Sequence, residues 1–465
     1  MQGPEENKRI GRHAASEQTK IEKQDAIRAD TDLYGDEADI PVRLRKKKKS
    51  VPKKGKSAKT SVKKEKKPPR FKLFARLSDA EATYSHKARA LFEIIRTDGA
   101  NPRFKTVLIY GHRIPFWPMI IMASMLILIV MVFMNNSNLR VKEQTVTVVG
   151  LSSDLEDYKM LVISDLNGRR FGDKQSALLR TINNLDYDSV FFLGDMVGES
   201  GDPEPFYEIL DGIPSSKETY FICGDADPGP FVDSPRNITG TLPQLVLEDW
   251  ILGAIDRGAV YVDSPTSLPV GNSKIWLSPS TLMNLEATEL LDTWKDQTEQ
   301  EEDGVLSGLD ADYETLPFTT YRLRVAQNFY NLADSMNQDG FHMILSHEVP
   351  ADKSIRAASE HEESQGKYLP AADLILAGHY CGGVWHLPLL GAFYVPDNMM
   401  ARNGWFPAQQ DVQGLSAEGE SQIYITGGLS TNSALSVMPF RLLNQPEMTV
   451  LTLTATLPES MLSAE

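Results

Sequence analysis

The chain has 465 residues, with 48 Lys and Arg against 63 Asp and Glu, for a net charge of −15. That total joins two opposite parts: residues 1–113 hold 29 basic and 15 acidic side chains (+14), and the remainder holds 19 and 48 (−29). The length allows two or three domains. Two cysteines exclude a disulfide framework beyond one Cys223–Cys381 bridge, which the sequence leaves open.

Residues 1–75 are polar, and the run RLRKKKKSVPKKGKSAKTSVKKEKKPPR cannot bury enough apolar surface to fold alone. Its charge suits the anionic inner leaflet of a membrane, and a solvated tail that only fixes topology fits equally well. No aromatic residues interleave with the lysines, which argues against nucleic acid as a partner. Residues 79–97 have the pattern of a short amphipathic cytoplasmic helix. Residues 1–113 are therefore expected to be a basic, largely disordered cytoplasmic region.

Residues 114–134, IPFWPMIIMASMLILIVMVFM, contain no charge. At about 1.5 Å per residue, a helix of this length crosses a hydrocarbon core of about 30 Å. Phe116 and Trp117 suit the interfacial belt, and Pro115 and Pro118 fall in the first turn, where proline is tolerated. More than a hundred residues precede the segment and no A-x-A site follows, so a cleaved signal peptide is disfavoured. Arg103, Lys105 and Arg113 lie before it, which by the positive-inside rule puts the N-terminus in the cytoplasm. The expectation is a single-pass protein of the cell membrane, with residues 135–465 extracytoplasmic.

A linker and first strand occupy 135–157. Strands then follow at Met160–Ser164, Ser189–Leu193 and Tyr220–Cys223, alternating with helical spacing at Lys174–Leu185 and Pro205–Leu210. Further strands are expected at Lys274–Leu277, His342–Leu345, Leu374–Leu376, Gln422–Thr426 and Met448–Leu453. This alternation predicts a largely parallel sheet covered on both faces, with ligands gathered beyond the carboxyl ends of its strands. Those ends carry the polar residues: Asp165 and Asn167, Gly194-Asp195, Gly224-Asp225-Ala226-Asp227, Ser346-His347, and Gly378-His379-Tyr380-Cys381. One aspartate alone would be read as a helix cap, and the pair in AGHYCGG as a loop histidine and a small apolar cysteine. Five strand ends together point to a metal site.

This series resembles the calcineurin-like metallophosphoesterases, whose motifs run D-x-H, G-D-x-x-D, G-N-H-D/E, a lone histidine and G-H-x-H. The resemblance covers residues 158–455, and GGLSTNSALSVMPFRLLNQPEMTVLTL looks like the family's closing hairpin and last strand. Residues 456–465 are left as a tail. The resemblance implies an α/β fold, a β-sandwich flanked by helices, with one or two divalent ions such as Zn, Mn or Fe. One ion would be held by Asp165, Asn167, Asp195 and Cys381, the other by Asp195, Asp225, His347 and His379. The motifs are modified: Gly198 ends G-D-x-x-D, and Ala226 replaces the histidine that aids the leaving group. Three aspartates, the bridging Asp195 among them, and a Cys381 thiolate if one forms, leave a one-metal site anionic; Arg169 and Arg170, just beyond the first motif, either offer compensating charge or form a solvated loop pair. The implied function is a membrane-anchored phosphoesterase acting on a phosphate-containing substrate. The alternative is an inactive or weakly active extracytoplasmic ligand-binding or scaffold module. The acidic stretch 285–318 reads as an insertion that serves as a lid, a partner surface or a solvated excursion.

Overall fold

The apolar runs become strands, and they build two large packed sheets, as the sandwich implied by the resemblance requires and unlike the one sheet that alternation alone predicts. The computed structural model describes residues 93–95, 106–109, 112–232, 246–307, 315–336, 340–361, 366–387, 389–395, 404–431 and 440–455. The basic run and the tail at 456–465 lie outside the described residues.

Three short antiparallel strands precede the apolar segment: β1 (Glu93–Ile95), β2 (Thr106–Ile109) and β3 (His112–Pro115). Strand β1 falls within the stretch expected as an amphipathic helix. Adjacent Ile94 and Ile95 favour extended backbone, and both pair with β2. The rest of 79–97 lies outside the described residues. Helix α1 (Phe116–Ser137) starts two residues later than expected, because Ile114 and Pro115 pair with Val107 and Thr106 in the β2–β3 hairpin. It also ends three residues later. Asn136 Nδ2 and Ser137 Oγ donate to the carbonyls of Val132 and Phe133, one turn back, at 2.7 and 2.8 Å. Trp117–Ser137 is long and apolar enough to cross a membrane, and its side chains are exposed all round, unlike those of a core helix.

The first large sheet takes β4 (Arg140–Thr147), β5 (Lys159–Ile163), β6 (Ser189–Leu193), β7 (Glu218–Ile222), β8 (Val260–Tyr261) and β18 (Glu447–Thr454), in the order β4-β18-β5-β6-β7-β8. The second takes β9 (Thr266–Val270), β10 (Ser273–Pro279), β11 (Phe341–Leu345), β12 (Leu374–Ala377), β16 (Gly414–Glu418) and β17 (Ser421–Ile425), in the order β16-β17-β12-β11-β10-β9. Most pairs are parallel; β18 runs antiparallel to β5 in the first sheet, and the outer strands β9 and β16 are antiparallel to their neighbours in the second.

Side-chain alternation sorts each strand between two cores. In β5, Met160 and Val162 face the second sheet and share a buried cluster with Leu277, Met343, Leu345 and Leu376. Leu161 and Ile163 face outward, under α2 (Ser176–Ile182), α3 (Glu204–Gly212) and α4 (Asp249–Asp256). The outer face of the second sheet is covered by α7 (Asp352–Glu360) and by a hairpin of α5 (Ala287–Ser307) and α6 (Thr315–Met336). The acidic stretch 285–318 thus includes α5 and the start of α6. Ala287 and Leu290 pack against the second-sheet side, and Tyr321 and Val325 of α6 reach the first sheet's outer core. A further small sheet, β13 (Trp385–Leu387), β14 (Gly391–Val395) and β15 (Gly404–Trp405), has no counterpart in the expected elements.

Burial within the fold has a titratable consequence at His342 on β11. Desolvation pushes its pKa down to about 4, against a smaller upward pull from a backbone hydrogen bond involving Met336. An unfolded histidine titrates near 6.5. As pH falls from 6.5 towards 4, the unfolded chain therefore takes up a proton that the folded chain refuses, and stability is lost. The full chain should lose about 2 kcal/mol from this source by pH 5. Urea unfolding at pH 7.5 and pH 5 should show a smaller difference for His342→Gln than for the unsubstituted chain; equal differences would refute the assignment.

Candidate metal centre

Strands β6, β7, β11 and β12 end side by side, and close packing of their turns decides which residues fit. Gly194 has φ +86° and Asp195 φ +54°, a left-handed conformation that glycine adopts freely and aspartate tolerates. A Cβ on Gly224 would lie 2.1 Å from Asp195 Oδ1 and 2.3 Å from Asp195 N, so only glycine lets these two strand ends meet. Asp195 Oδ1 accepts from Ala226 N at 2.8 Å, which turns Oδ2 towards the histidines.

His347 is buried, and its Nδ1 lies 2.7 Å from the Leu193 carbonyl. A carbonyl only accepts, so Nδ1 carries the proton and Nε2 is left as the lone-pair donor. Nε2 stands 3.2 Å from Asp195 Oδ2 and 2.9 Å from Asp225 Oδ1. His379 Nδ1 is 3.0 Å from the same Asp225 oxygen and 3.2 Å from His347 Nε2. One ligand atom from each of Asp195, Asp225, His347 and His379 therefore lies within 4.8 Å of every other. Two imidazole nitrogens facing each other at this distance repel unless a proton or a cation lies between them. Two carboxylate oxygens and two imidazole nitrogens fit Zn, Mn or Fe.

The electrostatics agree. Burial pushes the His347 pKa down, yet hydrogen bonds to Asp195 and Asp225 and the charges of Asp195 and Asp165 outweigh it and leave the group well above its ordinary value. Bonds from His347 and His379 hold the Asp225 carboxyl far below the carboxylate range, despite partial desolvation. Positive charge is what this cluster stabilises.

The other expected set meets only in part. Asp165 is fully buried; Ser164 Oγ donates to its Oδ2, and its Oδ1 has no hydrogen-bond partner among the described residues. Burial raises the Asp165 carboxyl, and the Asp195 charge adds to that, against the pull of His347. The Cys381 thiol is buried beside it, raised first by desolvation and then by the Asp165 carboxylate. Asn167 Nδ2 donates to Thr431 O at 3.4 Å, and a Cβ on Gly198 would lie 2.8 Å from its Oδ1. Gly198, read as a motif departure, is where Asn167 crosses the neighbouring loop. Both cysteines are free, and Cys223, its pKa pushed up to about 12 by burial, bonds the Tyr261 hydroxyl at 3.4 Å. The Cys223–Cys381 bridge does not form.

Neither arginine expected to supply charge does so at the four-ligand cluster. Arg169 donates to the carbonyls of Asn136 and Leu429 and lies over the Phe171 ring; Arg170 pairs with Asp202 and Glu208 at the surface. The cation beside Asp165 and Cys381 is Arg441, which sequence reasoning passed over. It is fully buried; burial lowers its pKa, while Cys381 and Asp165 raise it. Its guanidinium donates to the carbonyls of Cys381, Gly427, Gly428, Ser430 and Asn444 at 2.6–3.3 Å. The signal was a lone arginine inside the apolar run PFRLL. Asp227, named among the strand-end residues but given no role, accepts from Val197 N, Gly198 N and Gly224 N and so ties the loops after β6 and β7 together.

Asp225 remains largely exposed and opens onto a cavity of about 540 Å³. Phe231, Tyr261 and Met283 line it, together with Tyr321 and Arg322 of α6 and His347.

No protein-family model matches the chain, and no curated protein matches it either. Among solved structures it is similar to a phosphopantetheinyl hydrolase from Mycobacterium tuberculosis, at 10% identity, covering 59% of this chain and 91% of that one, with a TM-score of 0.28. It is also similar to the protein TT1561 of Thermus thermophilus, at 11% identity, covering 59% and 90%, with a TM-score of 0.27. Likeness this distant carries no functional argument. The site's own geometry does.

Proposed function

We propose that the protein is a metal-dependent phosphoesterase of the calcineurin-like kind, anchored by α1 with its C-terminal domain extracytoplasmic. The observation that carries this reading is the convergence of Asp195, Asp225, His347 and His379. The orientation rests on Arg103, Lys105 and Arg113 before the apolar segment. The tail before them is proposed to lie against anionic lipid.

A divalent ion held by these four side chains would supply Lewis-acid polarisation of a phosphoryl oxygen and a more acidic water. The chain's own contribution is orientation. The Leu193 carbonyl fixes the His347 tautomer, and Ala226 N occupies one Asp195 oxygen so that the other faces the cluster. Ala226 has no proton to give, so leaving groups must depart with a proton from solvent. Lacking a positioned acid costs about 100- to 10,000-fold and favours esters with good leaving groups. Arg322, exposed at the cavity, lies over Phe231 at 4.7 Å and enters none of the ion pairs found among the described residues. It offers the positive charge that an anionic substrate needs near so many carboxylates.

Ala226 also favours a second reading, a ligand-binding module that holds metal without turnover. Metal analysis of the full chain in detergent, followed by nitrophenyl phosphodiester and phosphomonoester assays, separates the two. About one equivalent of a transition metal and measurable hydrolysis are expected, with Arg322→Ala raising KM about 10-fold. Metal without turnover would select the binding module; absence of metal would remove both.

A further inference from the structure

Among the described residues outside α1, the strongly exposed large apolar side chains, Val149 excepted, gather in one place. Leu389 is 106% exposed, Leu390 63%, Trp405 64% and Phe406 63%, and all four belong to the β13–β15 sheet, its turn or the residue that follows it. Aromatic packing fixes the patch: the Phe393 ring meets Trp405 at 4.9 Å and Phe406 at 5.3 Å, and Tyr394 meets Trp405 at 4.7 Å. Four exposed side chains on an ordered sheet mark a covered surface in the working protein. Leucines at a turn with tryptophan and phenylalanine beside them have the composition of a bilayer interface.

Continuity with α1 identifies what covers it. Residues 440–444 run alongside β13: His386 N donates to Leu442 O, Leu442 N to Val384 O, and Trp385 Nε1 to Phe440 O. The same segment is bonded to the end of the apolar helix. Asn136 Nδ2 donates to Arg441 O at 2.7 Å, Arg441 N donates to Asn136 Oδ1 at 3.0 Å, and Asn135 Nδ2 donates to Asn444 O at 2.7 Å. The helix end, residues 440–444, β13, β14 and β15 are therefore successive neighbours. At about 4.8 Å per strand, β15 lies roughly 15 Å from the segment that grips the helix. Arg441 also joins this edge to the metal centre, because its guanidinium donates to Cys381 O.

We propose that the β13–β15 sheet is a second membrane contact. Leu389, Leu390, Trp405 and Phe406 enter the headgroup layer of the bilayer that α1 crosses. That contact holds the metal centre, tied to the same edge through Arg441 and Cys381, close to the bilayer, and the substrate is a phosphate ester carried on a lipid. The substrate class rests on the phosphoesterase reading, whereas the membrane contact rests only on α1 spanning the bilayer.

The two parts are tested separately, with the full chain in phosphatidylcholine–phosphatidylglycerol nanodiscs. A spin label at Leu390→Cys, in a Cys223→Ser background, should be more accessible to oxygen than to a water-soluble nickel chelate. A label at Glu420→Cys, in an exposed turn, should show the reverse. Aqueous accessibility at both positions would overturn the contact. Leu390→Asp with Trp405→Ser should slow hydrolysis of a lipid phosphate in the same bilayer about 10-fold and leave a soluble nitrophenyl phosphodiester unaffected. Equal effects on both substrates would overturn the lipid assignment. Failure of the unsubstituted protein to hydrolyse either would overturn the phosphoesterase reading and the substrate class with it, while the label still decides the contact.

Discussion

His379→Ala is expected to strip the tighter metal ion and lower phosphoesterase activity by at least about 100-fold, since even residues that only orient metal ligands cost 10–100-fold when removed. His379 Nδ1 is one of four converging donors, 3.0 Å from Asp225 Oδ1 and 3.2 Å from His347 Nε2. With alanine there, the three remaining donors leave a divalent ion with water in place of an imidazole. Metal bound to the native state at 100 times its Kd stabilises it by about 2.7 kcal/mol, and the variant loses that linkage. Metal content and thermal melting, each with and without chelator, check the claim. The unsubstituted chain should melt lower after chelation, and His379→Ala should melt at one temperature throughout. A variant that keeps its metal would show that the ion sits elsewhere, for example between Asp165 and Cys381.

The convergence of Asp195, Asp225, His347 and His379 was legible because each follows an apolar run, and strand ends are where a sheet gathers polar groups. Asn167 and Arg169 were not. Both follow Asp165 through a turn in which Asp165 and Asn167 have φ of +55° and +49°, and a sequence does not say where side chains point after such backbone. One sheet could not be told from two for a related reason. Met160 and Leu161 are equally apolar, yet one faces the partner sheet and the other the helices. Alternation vanishes when both faces are buried. The β13–β15 sheet was hidden differently. Its strands are two to five residues long and its stabilising contacts are aromatic pairs between strands, so no segment carries a pattern by itself. Arg441 escaped notice because its nearest functional partner, Cys381, lies 60 positions away in the chain.

Arg441 carries the largest stability prediction. One guanidinium satisfies five main-chain carbonyls inside the protein, and among the described residues no carboxylate is bonded to it. Three of those carbonyls keep a second donor: Asn444 Nδ2 for Cys381, Glu447 N for Gly428 and Asn135 Nδ2 for Asn444. The carbonyls of Gly427 and Ser430 would be left to Arg441 alone among the bonds found between described residues. Each orphaned carbonyl costs about 1–3 kcal/mol. Removing a buried charge returns part of its desolvation cost, which is the leading influence on Arg441, but it also withdraws the cation next to Asp165 and Cys381. The net expectation for Arg441→Met is a loss of about 3–5 kcal/mol, or roughly 5–8 °C in Tm. Arg441→Lys should fall between the two, because an ammonium has three donors and cannot span five acceptors. The loss should also reach the helix end, since the Arg441 backbone holds Asn136. Hydrogen exchange at residues 135–147 should therefore rise in the Met variant more than at β6 or β7. A melting temperature within about 2 °C of the unsubstituted chain would mean that water replaces the guanidinium at no cost, and that this buried arginine is not what joins the Asp165–Cys381 region to the end of α1.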